Sequence, residues 1–225
     1  MTFKSGLHGR VFGESKTVIW FVHGWDSRTA KYSPLIKRLI ESKLQVVAWD
    51  GPAHGDHPEK ETNLVHFGEA LKSDIEAFDR PIAMLIGHSF GGGASAYACS
   101  LGAPVPRLVM IAAPSLVLGV FTRFWDLITL GPKAREVFVA QIRRRTTKTP
   151  EDASAARFMK DLKQMVLVIH DEDDKEIPFS DTNAYLGLDH VRVVKTTGLG
   201  HRRIIASPMV ATEIIEFAER AEISR

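Results

Sequence analysis

One serine in the chain sits where it could act as a nucleophile. Ser89 is the centre of Gly87-His88-Ser89-Phe90-Gly91, a G-x-S-x-G, and the five residues before it, IAMLI at 82–86, form an apolar run of strand length. Ala94, Ser95, Ala96, Ala98 and Cys99 follow, small residues that suit a tightly packed helix. Strand, sharp turn and helix form the setting in which this motif has chemical meaning. A glycine two residues to either side leaves room for the turn. The serine is expected to cap the helix N-terminus, whose positive end favours developing negative charge. A serine hydroxyl is a poor nucleophile at neutral pH and needs a base. Histidine is the usual one, with a carboxylate on its other ring nitrogen to fix the tautomer.

The chain holds nine histidines and, at 171–174, four consecutive carboxylates, Asp171-Glu172-Asp173-Asp174. His88 flanks the serine, but neighbours on a sharp turn point apart, which makes it a poor base. His23, His54 and His57 fall in loops placed to line a site, and His201 ends a Gly-x-Gly-His loop near the C-terminus. Hard cations bind carboxylate oxygens, but the acidic run lacks the glycine and spaced ligands of an EF-hand loop. Neither a metal nor a cofactor is expected.

Alternating strands and helices must position these groups. TVIWFV at 17–22, QVVAW at 45–49, RLVMIA at 107–112, VLVIH at 166–170 and VRVVK at 191–195 are apolar runs of strand length. Such unbroken runs read as strands buried on both faces. Residues 3–13 are weaker and predict one or two short edge strands. Helices are expected over 32–43, 63–78, about 180–186 and 203–222, the second with Leu64, Phe67, Leu71, Ile75 and Phe78 on one stripe. The pattern predicts an α/β fold: a mostly parallel sheet covered by helices on both faces, with sites at the carboxyl ends of the strands. Between 115 and 165 the alternation stops, and the stretch is helical in character.

Bulk properties narrow the classes. At 225 residues, 44% hydrophobic and 25% charged, the chain suits one soluble domain spanning 1–225. A net charge of +2 gives no pointer to nucleic acid or to a membrane surface. A single cysteine, Cys99, excludes an internal disulfide. The N-terminal residues show no secretion signal, and no apolar run approaches the ~20 residues of a membrane span. A cytoplasmic location is expected, and the oligomeric state is not readable.

Together these stretches resemble the α/β-hydrolase family over about 17–114 and 166–222. The resemblance implies a three-layer α/β-hydrolase fold with Ser89 as nucleophile on the family's elbow. It also implies the chain order Ser, acid, His. His201 resembles the family's histidine. Aligned on Ile177-Pro178, the family's G-x-x-D-x-x-V/I-P places Asp174 as the acid, with Asp173 the alternative, and puts Asp171 where a glycine is usual. The family's oxyanion hole corresponds to the backbone N–H of Phe90 and, after the His-Gly turn at 23–24, that of Trp25.

The family implies acyl transfer to water through an acyl-serine, with a small-molecule ester as substrate. Residues 115–165 stand where relatives carry a helical lid. His23, Phe121, Phe124 and Trp125 are its expected substrate contacts, although the three lid aromatics suit anchoring equally well. This stretch carries ten basic and five acidic residues. Its run Arg143-Arg144-Arg145, with Lys148, reads as a solvated face, the alternative being a patch for an anionic substrate group. A carboxylesterase for small or medium acyl chains is the leading expectation. An acyl thioesterase, a cofactor-free lyase or perhydrolase on the same triad, and a non-catalytic ligand-binding protein are the alternatives.

Overall fold

The computed structural model describes residues 2, 3, 6, 9–146 and 148–219. Its centre is a sheet of seven strands: β1 (Gly9–Phe12), β2 (Val18–Val22), β3 (Gln45–Trp49), β4 (Ile82–His88), β5 (Arg107–Ile111), β6 (Met165–Asp171) and β7 (Val191–Thr196). The spatial order is β1-β3-β2-β4-β5-β6-β7. All pairings are parallel except β1 with β3. β1 is the edge strand expected near the N-terminus.

The helices are α1 (Ser33–Glu41), α2 (Leu64–Ala77), α3 (Phe90–Ser100), α4 (Val117–Leu127), α5 (Pro132–Arg145), α6 (Ala155–Phe158), α7 (Gly200–Arg203) and α8 (Pro208–Glu219). Short 3-10 turns cover Thr29–Tyr32, Phe179–Tyr185 and Ile204–Ala206.

The unbroken strands face two cores because side chains alternate along a strand. On β2, Val18, Trp20 and Val22 join the core beneath α2, α3 and α6. Ile19 and Phe21 join the opposite core, beneath α1 and α8. α2 starts at Asn63, whose side chain accepts the amides of Val65 and His66 at 3.0 and 3.1 Å.

Two expectations need correction. The closing helix is not continuous: Pro208 removes an amide and disfavours helical geometry at Ser207, which is extended, so α7 and a 3-10 turn are split from α8. Residues 220–222 of that expectation lie outside the described residues. The 115–165 stretch is also not uniform. Ala155, Phe158, Met159 and Leu162 are buried in the core with α3, and Phe158 lies 5.0 Å from the ring of Tyr97. Only α4 and α5 stand apart from the core layers.

No helix among the described residues is long and apolar enough to cross a membrane.

Candidate active site

The carboxyl ends of β2, β4, β6 and β7 converge. Ser89, directly after β4, has φ 53° and ψ −123°, a left-handed conformation unusual for a residue with a side chain. The turn is tight enough that a Cβ at Gly87 would run into the backbone of Gly91, and one at Gly91 into the backbone of His23. The two flanking glycines are therefore required by close approach. Ser89 occupies the N-cap position of α3, but its hydroxyl makes no capping bond. Its Oγ instead lies 3.0 Å from Nε2 of His201. The expected side-chain cap is absent because the turn aims the hydroxyl out of the helix axis.

His201 lies in α7, at the end of the loop after β7. Its Nδ1 is 2.8 Å from Oδ2 of Asp174, an acceptor, so Nδ1 carries the proton and Nε2 offers its lone pair to the serine. Asp174 follows β6. Its other oxygen, Oδ1, accepts the amides of Glu176 and Ile177 at 2.9 and 2.8 Å. Burial alone would raise the pKa of Asp174. Hydrogen bonds from His170, His201 and the Ile177 amide outweigh it and hold the carboxyl well below the usual range.

The other three acidic residues have separate work. Asp171, wholly buried, accepts the amides of Asp173 and Gly200 on Oδ1, and the Thr196 hydroxyl and the Leu199 amide on Oδ2. Glu172 accepts from Lys195 and Thr197, and Asp173 from the amide of Gly198. Three carboxylates thus tie β7 and the loop beyond it to β6, and Asp174 alone of the four meets His201. Among the described residues, no group of three or more His, Cys, Asp or Glu is arranged to hold a metal ion.

The amides of Trp25 and Phe90 flank the serine's turn and meet no protein acceptor among the described residues. The Trp25 indole is 55% exposed and packs edge-on against Phe90 and His54, with ring centroids 4.9 and 5.4 Å apart.

His23 is fully buried. Its Nδ1 lies 2.8 Å from the Gly24 carbonyl, and its Nε2 accepts the Gly51 amide at 3.0 Å. Burial drives its pKa down to about 4. It therefore braces two loops and has no face free for a substrate. His54 accepts the Asp26 amide, and His57 accepts those of Ala53 and Glu59. Phe121 and Trp125 pack on Phe138 at 5.2 and 5.6 Å, which joins α4 to α5. Of the three expected aromatics only Phe124 is largely exposed. Arg143, Arg144 and Arg145 are exposed, with Arg145 against Glu61 at 3.2 Å.

Comparison with known proteins bears on the family and the fold. The family model described as alpha/beta hydrolase family matches residues 21–213. The chain belongs to the alpha/beta hydrolase family. A Mycoplasma pneumoniae protein bearing the name "Putative esterase/lipase 3" is 30% identical over 100 residues, 44% of this chain and 37% of that protein's length. An esterase of Pyrococcus furiosus superposes with a TM-score of 0.77 at 18% identity, covering 97% of this chain and 88% of that one. A monoacylglycerol lipase of Paleococcus ferrophilus superposes at 0.71 and 20% identity, over 94% and 98% of the two chains. A meta-cleavage product hydrolase of Pseudomonas fluorescens does so at 0.73 and 18%, over 98% and 97%. At these identities the superpositions establish the fold alone.

Proposed function

We propose that this hydrolase cleaves carboxylic esters of small or medium acyl chains through an acyl-serine intermediate. The observation that carries the reading is the hydrogen-bonded series Asp174–His201–Ser89, with links of 2.8 and 3.0 Å. In this reading Nε2 of His201 takes the hydroxyl proton as Ser89 Oγ attacks the ester carbonyl. Asp174 steadies the imidazolium that forms. The amides of Trp25 and Phe90 receive the developing oxyanion, and the N-terminus of α3 adds its positive end. The imidazolium then protonates the leaving alcohol. Water, deprotonated by the same nitrogen, attacks the acyl carbonyl; the C–Oγ bond breaks to release the acid, and the imidazolium returns its proton to Ser89 Oγ.

The esterase and lipase names among the relatives support an ester substrate. The α4–α5 hairpin is the part of the stretch after Ser115 that serves as lid in this reading, with Phe124 as its free aromatic. Small p-nitrophenyl esters of increasing chain length test the proposal on wild type and Ser89→Ala together. Turnover that disappears in the variant, with loss of fluorophosphonate labelling, is the expected result. Turnover that survives in Ser89→Ala overturns it.

A further inference from the structure

The residue beside the proposed nucleophile is buried and fully engaged, yet the chemistry just described leaves it unused. His88 is 6% exposed, and each of its ring nitrogens has one partner. Nε2 lies 3.0 Å from the carbonyl oxygen of His201, which can only accept, so Nε2 carries the proton. Nδ1 then accepts, and the Tyr32 hydroxyl stands 3.0 Å from it. That hydroxyl in turn accepts the Gly24 amide at 2.9 Å. The bonds run in one direction, from the Gly24 N–H through the Tyr32 O–H and the His88 ring to the His201 carbonyl.

We propose that His88 and Tyr32 are positioning residues, which hold the main chain of His201 in register with the turn that presents the Trp25 amide. The inference rests on the Ser89–His201–Asp174 reading above.

Three observations converge. The relay joins four segments: the turn after β2, the 3-10 turn before α1, the elbow and α7. Both ends touch a residue whose placement decides the reaction. Gly24 precedes Trp25, and the His201 carbonyl belongs to the residue whose ring must keep two bonds at once. The packing also admits no slack. A Cβ at Gly24 would lie 3.2 Å from Nδ1 of His88 and 3.3 Å from the Ser89 side chain. The His88 ring is edge-on to Tyr32 at 5.5 Å and tilted against His201 at 5.0 Å. The relay works only with neutral His88, and burial, with the His201 imidazole beside it, pushes its pKa down to about 3. A network of this kind acts as a unit, because each buried group lost orphans the next.

The test compares Tyr32→Phe, His88→Leu, His88→Gln and the Tyr32→Phe/His88→Leu double variant with wild type and Ser89→Ala on one p-nitrophenyl ester. His88→Gln can restore the donor to the His201 carbonyl, whereas His88→Leu removes both bonds. A small displacement of the base is expensive, so kcat should fall about 10–100-fold in His88→Leu with KM within about twofold. His88→Gln should recover much of that loss. The double variant should be little worse than His88→Leu, because both changes break one relay. Wild-type kcat in Tyr32→Phe and in any folded His88→Leu, a rise in KM with kcat unchanged, or additive losses in the double variant would each overturn the inference. If His88→Leu does not fold, Tyr32→Phe and His88→Gln decide alone. Those outcomes count against the relay only while Ser89→Ala is inactive. Turnover in Ser89→Ala removes the triad reading, and the relay with it.

Discussion

Asp171 accepts the amide of Gly200 at 2.9 Å, one residue before His201. The first carboxylate of the acidic run thus holds the loop that delivers the proposed base.

Removing that carboxylate should loosen the loop without touching the reacting atoms. Asp171→Ala orphans four donors around a wholly buried site. Hydrogen bonds to a charged group contribute about 1.5–3 kcal/mol each, and losses within one cluster are not additive. A loss of about 2–4 kcal/mol is expected, which lowers Tm by roughly 5–15 °C in a domain of this size. Thermal unfolding of the variant checks this. A Tm within about 2 °C of wild type would contradict the clamp.

Backbone strain at Ser89 makes a prediction that separates stability from chemistry. A non-glycine residue at φ 53° costs of order 1–3 kcal/mol, and glycine is free of that cost. Ser89→Gly should therefore unfold at a higher temperature than Ser89→Ala, by an amount equivalent to about 1 kcal/mol or more, while both are inactive. Equal melting temperatures would show that the elbow stores no strain.

Acid should weaken the fold well above the carboxylate range. His23 and His88 are buried neutral, with folded pKa values of about 4 and about 3 against an ordinary 6.5. The unfolded chain binds more protons between these limits. Their contribution is thus complete above pH 6.5 and declines as the pH falls toward the folded values. Inside that window each such histidine costs about 1.4 kcal/mol per pH unit. Urea unfolding at pH 7 and pH 5 should differ by about 2–4 kcal/mol. A flat profile would mean that both rings titrate in the folded state as they do in the unfolded chain. Asp171 and Asp174 have depressed values, so their contribution is complete between pH 7 and pH 5 and is lost only as the pH falls below the ordinary carboxylate value.

Trp125 and Phe124 are adjacent in sequence but should respond differently to truncation. Trp125 is 5% exposed and packs on Phe138 of α5, whereas Phe124 is 48% exposed. Trp125→Ala should cost about 2–4 kcal/mol, visible as faster proteolysis within α4–α5. Phe124→Ala should leave proteolysis unchanged and shift the preferred acyl length of the ester screen. Equal sensitivity of the two variants would place both side chains in the same packing role.

Sequence alone determined the elements whose signal is local. The apolar strand runs, the amphipathic stripe of α2 and the glycines around Ser89 act over a few residues, so order and type of element were legible in them. The elbow was legible for the same reason, because turn, strand and helix are contiguous there. The Pro208 break has a local signal too, the restriction proline places on the residue before it, but the expectation of one helix over 203–222 passed it over. Tertiary structure decided what depends on residues far apart in the chain. Strand order, with β3 and β4 flanking β2, appears in no local pattern. Among four adjacent carboxylates the spacing to Ile177-Pro178 favoured Asp174 only through the family resemblance; the return of the β7 loop brings Asp174 to His201 while Asp171 and Asp173 grip the loop itself. His23 looked like a site residue because it follows a strand in a His-Gly turn. Its burial and its bond to the Gly51 amide depend on a loop 28 residues away. The Gly24–Tyr32–His88–His201 relay joins residues up to 177 positions apart, and such a relay is legible only once folding has brought those groups together and buried them.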